Sequence, residues 1–402
     1  MPAPSHSRLA AALLVVFGAA PAWARAGDTL TLNAAYSRQT DSNLFRLPAS
    51  ANVSALIGKS SAQEQIDIAS AGFSINKNYG LQRLELNLDL IDYQYQNFSY
   101  LSFAAHNYNA AWRWSVTPRL HGSLTTGRSE TLNSFTDYQN FTQRNQRTST
   151  NTRLDAAYEL NGTWQALAGV AKSSLTNQQT LIAEGDYRTT SADLGLRFTY
   201  ASGSALSFVR KNTNGTYLNR VSPLTGLSDD GFHQLDHELK LQWVASGQSV
   251  ASLSAARISR THPHHAQLDY SGWSTAANFN WRLTGKTTLT ASWTRELSSY
   301  QSSNTNYTQT DRFSVSPVWQ VSPKAAVRLH HEVAQRNYLG STGGVAATQR
   351  SDTTRDSRLS FNWQPHQRLT LSAALQGATR TSSLANLDYT SNTATFSAQL
   401  TY

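Results

Sequence analysis

Apolar and polar residues alternate along almost the whole chain. In AQLDYSGWSTAANFNWRL one parity holds Trp273, Ala277, Phe279, Trp281 and Leu283, and the other holds Ser274, Asn278, Asn280 and Arg282. LQRLELNLDL sets Leu84, Leu86, Leu88 and Leu90 against Arg83, Glu85, Asn87 and Asp89, and Leu194, Leu196, Phe198 and Tyr200 oppose Asp193, Gly195 and Arg197. A period of two is that of a strand with one apolar and one polar face. The polar face is too rich in Ser, Thr, Asn and Gln to be a dry core. The apolar face is too extensive for ordinary surface.

Short turn signals punctuate these strands: NYG at Asn78, VTPR at Val116, LNGT at Leu160, ASGS at Ala201, ASGQ at Ala245, LTGK at Leu283, VSPK at Val321 and QPHQ at Gln364. They recur at roughly forty residues, the kind of spacing that betrays a repeated unit. Most are entered through an aromatic residue: Trp114, Tyr158, Tyr200, Trp243, Trp281, Trp319 and Trp363. Between them lie longer stretches rich in Asn, Ser, Gly and Asp, such as NSFTDYQN. Alternating short and long connections describe up-and-down hairpins.

Strands near fifteen residues exceed the roughly five or six usual in soluble sheets. One apolar face per strand then predicts a transmembrane antiparallel β-barrel, lipid outside and water inside, with the turn aromatics as its inner girdle. Counting from TLTLNAAYSRQ to TFSAQLTY gives about eighteen strands. Even strand number puts both ends on the periplasmic side, and the last strand is expected to close on the first so that no edge is left. Phe396, Leu400 and the final Tyr402 share the apolar parity of that last strand. Such an ending resembles the signal by which the barrel-assembly machinery recognises outer-membrane substrates.

The beginning of the chain supports the same compartment. Residues 1–26 carry Arg8, an apolar stretch from Leu9 to Ala20, and small residues at Ala22, Ala24 and Ala26. They read as a secretory signal peptide, too short in its apolar run for the roughly 20 residues of a spanning helix. Residues 27–402 then form the barrel, with 40–63 as a long loop that either folds inward as a constriction or sits outside. There is no cysteine, so disulfides, thiol chemistry and a lipidated N-terminal Cys are excluded. Loss of a leader holding two arginines and no acid lowers the formal net charge from +9 to +7. That balance suits lipopolysaccharide phosphates or an acidic polymer, and nucleic acid is not an expected partner outside the cell.

Charged residues divide by parity. Arg128, Lys172, Arg210, Arg257 and Arg295 lie about ten positions after their turns on the apolar parity; given a span of about 9 to 11 residues, they are expected to snorkel towards lipid head groups at the outer interface. Arg113, Arg197, Arg282, Arg328 and Arg358 share the polar parity and are the candidate contacts for a polymer in the lumen, although Glu85, Asp155, Glu159, Asp193 and Glu238 share that space and a self-paired network is an equal reading. Tyr93, Tyr95, Phe98, Tyr100 and Phe103 form either a saccharide platform or an outer aromatic girdle.

Catalytic chemistry has little support, and no cofactor is expected. His262, His264 and His265 can hold a stray metal but lack partners at strand or helix spacing. His330 and His331 face opposite sides of a strand. Serine is too common for a lipid-facing Ser–His hydrolase to be singled out.

After the first strand comes QTDSNLFRLP, in which Asp41, Ser42 and Asn43 favour a turn and Leu44, Phe45 and Leu47 make an apolar anchor. With the leader, the barrel pattern and the aromatic end, this segment resembles the exopolysaccharide-biosynthesis outer-membrane proteins found with exosortase and PEP-CTERM systems, the EpsL-like family. Members show a D-S/D-N-L/I-F-R segment near the mature N-terminus, matched by Asp41, Asn43, Leu44, Phe45 and Arg46. The resemblance implies a barrel of the outer membrane that exports or retains an extracellular polysaccharide, with periplasmic export partners and no catalytic residue. The residues alone leave open a general diffusion porin or small-solute channel, and a non-conducting glycan anchor.

Overall fold

The computed structural model describes residues 29–402 apart from 137–141, 180–184, 221–228, 303–304 and 341–349. The leader read at 1–26 lies outside the described residues. Eighteen strands follow one another: β1 (Thr29–Asp41), β2 (Glu64–Tyr79), β3 (Gln82–Tyr95), β4 (Phe103–Thr117), β5 (Leu120–Leu132), β6 (Gln146–Glu159), β7 (Trp164–Asn177), β8 (Tyr187–Thr199) and β9 (Ala205–Tyr217) make the first half. The second half is β10 (Gly231–Ser246), β11 (Ser249–Thr261), β12 (Tyr270–Arg282), β13 (Thr287–Ser302), β14 (Thr305–Ser322), β15 (Ala325–Leu339), β16 (Ser351–His366), β17 (Leu369–Ser382) and β18 (Tyr389–Thr401). Among the described residues no helix is long and apolar enough to cross a membrane.

Each strand pairs antiparallel with the next, and β18 returns to β1 in a register running from Asp41↔Thr393 to Asn33↔Thr401. Leu32 and Tyr402 exchange both backbone hydrogen bonds, at 2.7 and 2.8 Å. The sheet is therefore closed, and its strands keep no unpaired edge.

Register partners point to the same face, so the pairings sort every side chain. One face carries Leu194, Phe208, Leu239, Trp273, Leu359, Leu375 and Phe396, with Leu194 69% and Phe396 63% exposed. Apolar side chains this open have no protein to cover them, which makes this the lipid face. Tyr158, Tyr200, Trp243, Trp281, Trp319 and Trp363 are exposed beside the short turns, as the inner girdle predicts. Trp114 shares their face but lies over Gly122, where a Cβ would come within 2.6 Å of the indole; glycine there leaves the ring room.

The buried apolar cluster sits inside the barrel, near its outer end. Long connections occupy that end, among them L1 (residues 42–63), L2 (96–102), L3 (133–145), L5 (218–230), L6 (262–269) and L9 (383–388). L1 folds inward: Leu44, Phe45 and Leu47 pack with lumen-facing Ile66, Tyr95, Phe103 and Ala105, with Phe98 and Leu101 of L2, and with Phe135 of L3. L1 also holds the short helix α1 (Val53–Ile57), started by Asn52 Oδ1 accepting from the Ala55 N–H at 3.1 Å and ended by Gly58 in the left-handed region. This corrects both readings of the aromatic stretch. Tyr93, Tyr95, Phe98 and Phe103 are neither a sugar platform nor an outer girdle; they are the wall and floor on which L1 rests. Tyr100 alone is half exposed, its hydroxyl donating to the Thr142 carbonyl at 2.9 Å.

Candidate constriction and permeation path

The segment 41–46 is a latch at the end of β1. The Asp41 carboxylate, 2% exposed, accepts from the Asn43 N–H at 2.9 Å, from Arg46 Nη1 at 2.9 Å and from Ser391 Oγ at 2.7 Å, while its other oxygen takes Arg46 Nη2 at 2.8 Å. Asn43 accepts from the Leu47 N–H and donates to the carbonyls of Leu47 and Thr390, closing the loop on itself and on β18. Arg46 has φ +56, a conformation that L residues adopt at a cost, and the ion pair with Asp41 holds it. With both flanks fixed, Leu44 and Phe45 are driven into the core. Phe45 is wholly buried, edge-on to Phe98 and Phe135 with ring centroids 4.8 Å away in both cases.

L3 carries the narrowing across the lumen. Phe135 joins the L1 core, and one residue on, the Thr136 carbonyl accepts from Arg380 Nη1 of β17 at 2.6 Å. Between L3 and the wall of β14–β17 lies a cavity of about 250 Å³ lined by Ser134, Thr136, Arg312, Glu332, Arg336, Asp352, Asp356, Arg380 and Tyr389. Arg312 pairs with Glu332. Asp352 accepts from Arg350, Tyr338 and Ser382, with Arg350 Nη2 at 2.6 Å, and Gln376 donates to Asp356. Arg380 is 4% exposed, gives its Nε to the Leu387 carbonyl of L9 at 2.7 Å, and its Nη2 has no partner. A carboxylate oxygen of Asp352 lies 4.0 Å from Arg380 Nη1.

All five arginines singled out from the sequence face the lumen, but they do not converge. Arg113 pairs with Glu85 at 3.0 Å, and Arg83 shares that carboxylate. Arg282 donates to the Gly247 carbonyl at a short turn, and Arg197 leaves a buried Nε without a partner. Arg328 and Arg358 lie on neighbouring strands, opposite Ser360 and His330. On the far wall Arg153 grips Asp193 through two bonds of 2.8 and 2.9 Å. The self-paired reading therefore holds for Arg113, and the narrow point uses Arg312, Arg336 and Arg380, which sequence reasoning passed over. Their polar parity was visible; what was not visible is that a loop from the other side of the barrel meets them.

The outward basic residues Arg128, Lys172, Arg210, Arg257 and Arg295 all lie on the lipid face by register. His330 and His331 face opposite sides and bond Ser316 and Ser357, each at 2.8 Å. The HPHH histidines have no partners at strand or helix spacing, but another loop supplies His264 with them. His264 Nδ1 lies 3.2 Å from Asp229 Oδ1 and 3.3 Å from Asp230 Oδ1, both brought from L5, and these three groups fall within 4.8 Å of one another. Asp229 is fully enclosed. Burial alone would raise its pKa, but hydrogen bonds from the His264 N–H and ring and from the Gly231 N–H help carry it down to about 2. The bond to Asp229 in turn raises the pKa of His264. His262 turns away to Asp269 and, being buried, has its pKa lowered.

No protein-family model and no curated protein matches the chain. Solved structures do. The outer membrane protein OpdK from Pseudomonas aeruginosa superposes with a TM-score of 0.52 at 12% identity, covering 93% of this chain and 99% of that one. OccK2 (OpdF) of the same organism, in complex with glucuronate, gives 0.52 at 11% identity over 93% and 98%, and OpdK has also been solved with vanillate. OccAB3 of Acinetobacter baumannii gives 0.50 at 6% identity over 94% and 100%. At these identities the likeness is one of fold. Together with the lipid-facing band and the girdle, it makes this chain a closed 18-stranded β-barrel of the outer membrane.

Proposed function

We propose that the barrel conducts small hydrophilic solutes through a passage narrowed by L1 and L3, with a preference for solutes bearing a carboxylate. The carrying observation is the bridge from Arg380 to Thr136, which reduces the outer half of a wide barrel to a charge-lined gap against β14–β17. A wall of paired charges replaces the water around a passing ion without holding it too tightly, and the guanidinium groups of Arg312, Arg336 and Arg380 make the gap favourable to a carboxylate. That two barrels of this fold bind vanillate and glucuronate, both small carboxylates, supports the reading. Liposome swelling tests it. Vesicles containing the barrel should swell faster in glucuronate than in a neutral sugar of equal size, and should not swell in a long oligosaccharide. Equal rates for all three would contradict it.

A second reading rests on the Asp41–Arg46 segment, whose likeness to the EpsL-like proteins favours a part in exopolysaccharide export or retention. Arg113, Arg197, Arg282, Arg328 and Arg358 would then be the lumenal contacts for the polymer, supplied by periplasmic export partners. Polymer trapped in the periplasm of a deletion strain would favour this reading. Normal release would remove the export role, and unchanged polymer on the cell surface would remove retention.

A further inference from the structure

Some charges on the lipid face of this barrel are neutralised in place. Arg38 pairs with Asp67 at 2.8 Å, Arg128 with Glu130, and Arg295 with Asp311 at 2.7 Å. One group differs. Arg210 on β9, His237 on β10 and Arg257 on β11 are consecutive register partners, so they leave the sheet side by side on the outward face. Among the described residues none of the three meets a carboxylate. Arg257 donates to Ser271 Oγ at 3.0 Å and lies over Trp273, and the His237 ring stacks on Phe208. Arg210 and Arg257 are exposed.

The row marks a boundary. On the turn side of it lie Phe208, Leu239 and Leu253, and on the loop side Leu235 stands between Asn212 and Ser259, all on the same outward parity. It therefore sits where the apolar band gives way to the outer polar zone, the depth of lipid head groups. Adjacent strands are about 4.8 Å apart, so the backbone sets the two arginines on either side of His237 within roughly 10 Å, a span their long side chains bridge. Cations set side by side in a sheet oppose one another unless an anion lies between them, and guanidinium forks fit phosphate oxygens in pairs. We propose that Arg210, His237 and Arg257 form a binding site for the phosphate of an outer-leaflet lipid.

The test uses the full barrel folded in detergent micelles, titrated with bisphosphorylated lipid A and followed by native mass spectrometry. The wild-type protein should retain the lipid, and R210Q/R257Q should lose about tenfold or more in affinity, as expected for two charge-assisted contacts. R295Q, which removes a paired arginine, should leave affinity unchanged, and R210K/R257K should keep most of it. Heat-modifiable mobility on gels reports whether each variant is folded. Equal binding of lipid A stripped of its phosphates, or wild-type affinity in folded R210Q/R257Q, would overturn the site. Displacement of the lipid by submillimolar inorganic phosphate would also overturn it, because the site would then serve a free anion.

Discussion

Arg380 Nη1 and the Thr136 carbonyl lie 2.6 Å apart although 244 residues separate them in the chain. This single bond fastens L3 to β17, and the same guanidinium fastens L9 through Leu387. Lysine cannot reproduce two divergent donors on one planar group, so Arg380→Lys should release one of the two loops. The loss is about 2 kcal/mol of local stability for a charge-assisted bond. Limited proteolysis of the folded barrel reads it as new cleavage in L3 or L9.

Phe45→Ala should free L1 without unfolding the barrel. The side chain is fully buried between Phe98 and Phe135, and truncating a buried Phe costs roughly 3 to 5 kcal/mol. Closure of the sheet depends instead on backbone pairing that the substitution leaves alone. Heat-modifiable mobility should persist while L1 becomes accessible to protease. Loss of the heat-modifiable mobility as well would show that the loop core is required for the barrel itself.

Asp41→Asn should have a similar local effect by a different route. It leaves Arg46, a residue in a costly backbone conformation, without its ion pair. Breaking a largely buried pair from one side costs roughly 3 kcal/mol. Adding Arg46→Gly, which removes both the orphaned charge and the backbone strain, should recover part of the loss. Hydrogen exchange at the L1 amides measures both steps.

The contact of His264 with Asp229 should depend on pH in two directions. His264 has a raised pKa, so its contribution is complete below the ordinary value of 6.5 and disappears as pH rises through the raised value. Asp229 has a lowered pKa, so its contribution is complete above 3.8 and is lost as pH falls towards about 2. Protection of the L6 amides should therefore be greatest between about pH 4 and 6.5 and should fall at neutral to alkaline pH. In His264→Ala the alkaline fall should vanish.

Much of the fold was legible because a barrel writes its two faces into the sequence with a fixed period. The parity of Trp273, Ala277 and Phe279 against Ser274 and Asn278, and the turn signals from Asn78 to Gln364, yielded strand number, closure and facing. The interior of the outer half was legible only as an open choice, an inward or an outward course for residues 40–63, of which the inward one holds. Loops have no period, and L1 and L3 meet only because chain closure brings β1, β5 and β17 around one lumen. One trace existed: Ile66, Ile68, Ile91, Tyr93 and Phe103 are apolar residues on the polar parity at the outer ends of β2, β3 and β4. Apolar residues facing a water-filled lumen imply that something covers them, and L1 is what does. The pairing of Arg380 with Thr136 left no such trace.

The most direct test of the narrowed passage is single-channel conductance in planar lipid bilayers, comparing the wild-type barrel with Arg380→Ala. If L3 held by Arg380 narrows the path, the wild-type protein will show small, anion-preferring steps, and the variant will show larger steps with weaker anion preference. Steps of the same size and selectivity in both proteins, or no conductance in either, would contradict the account.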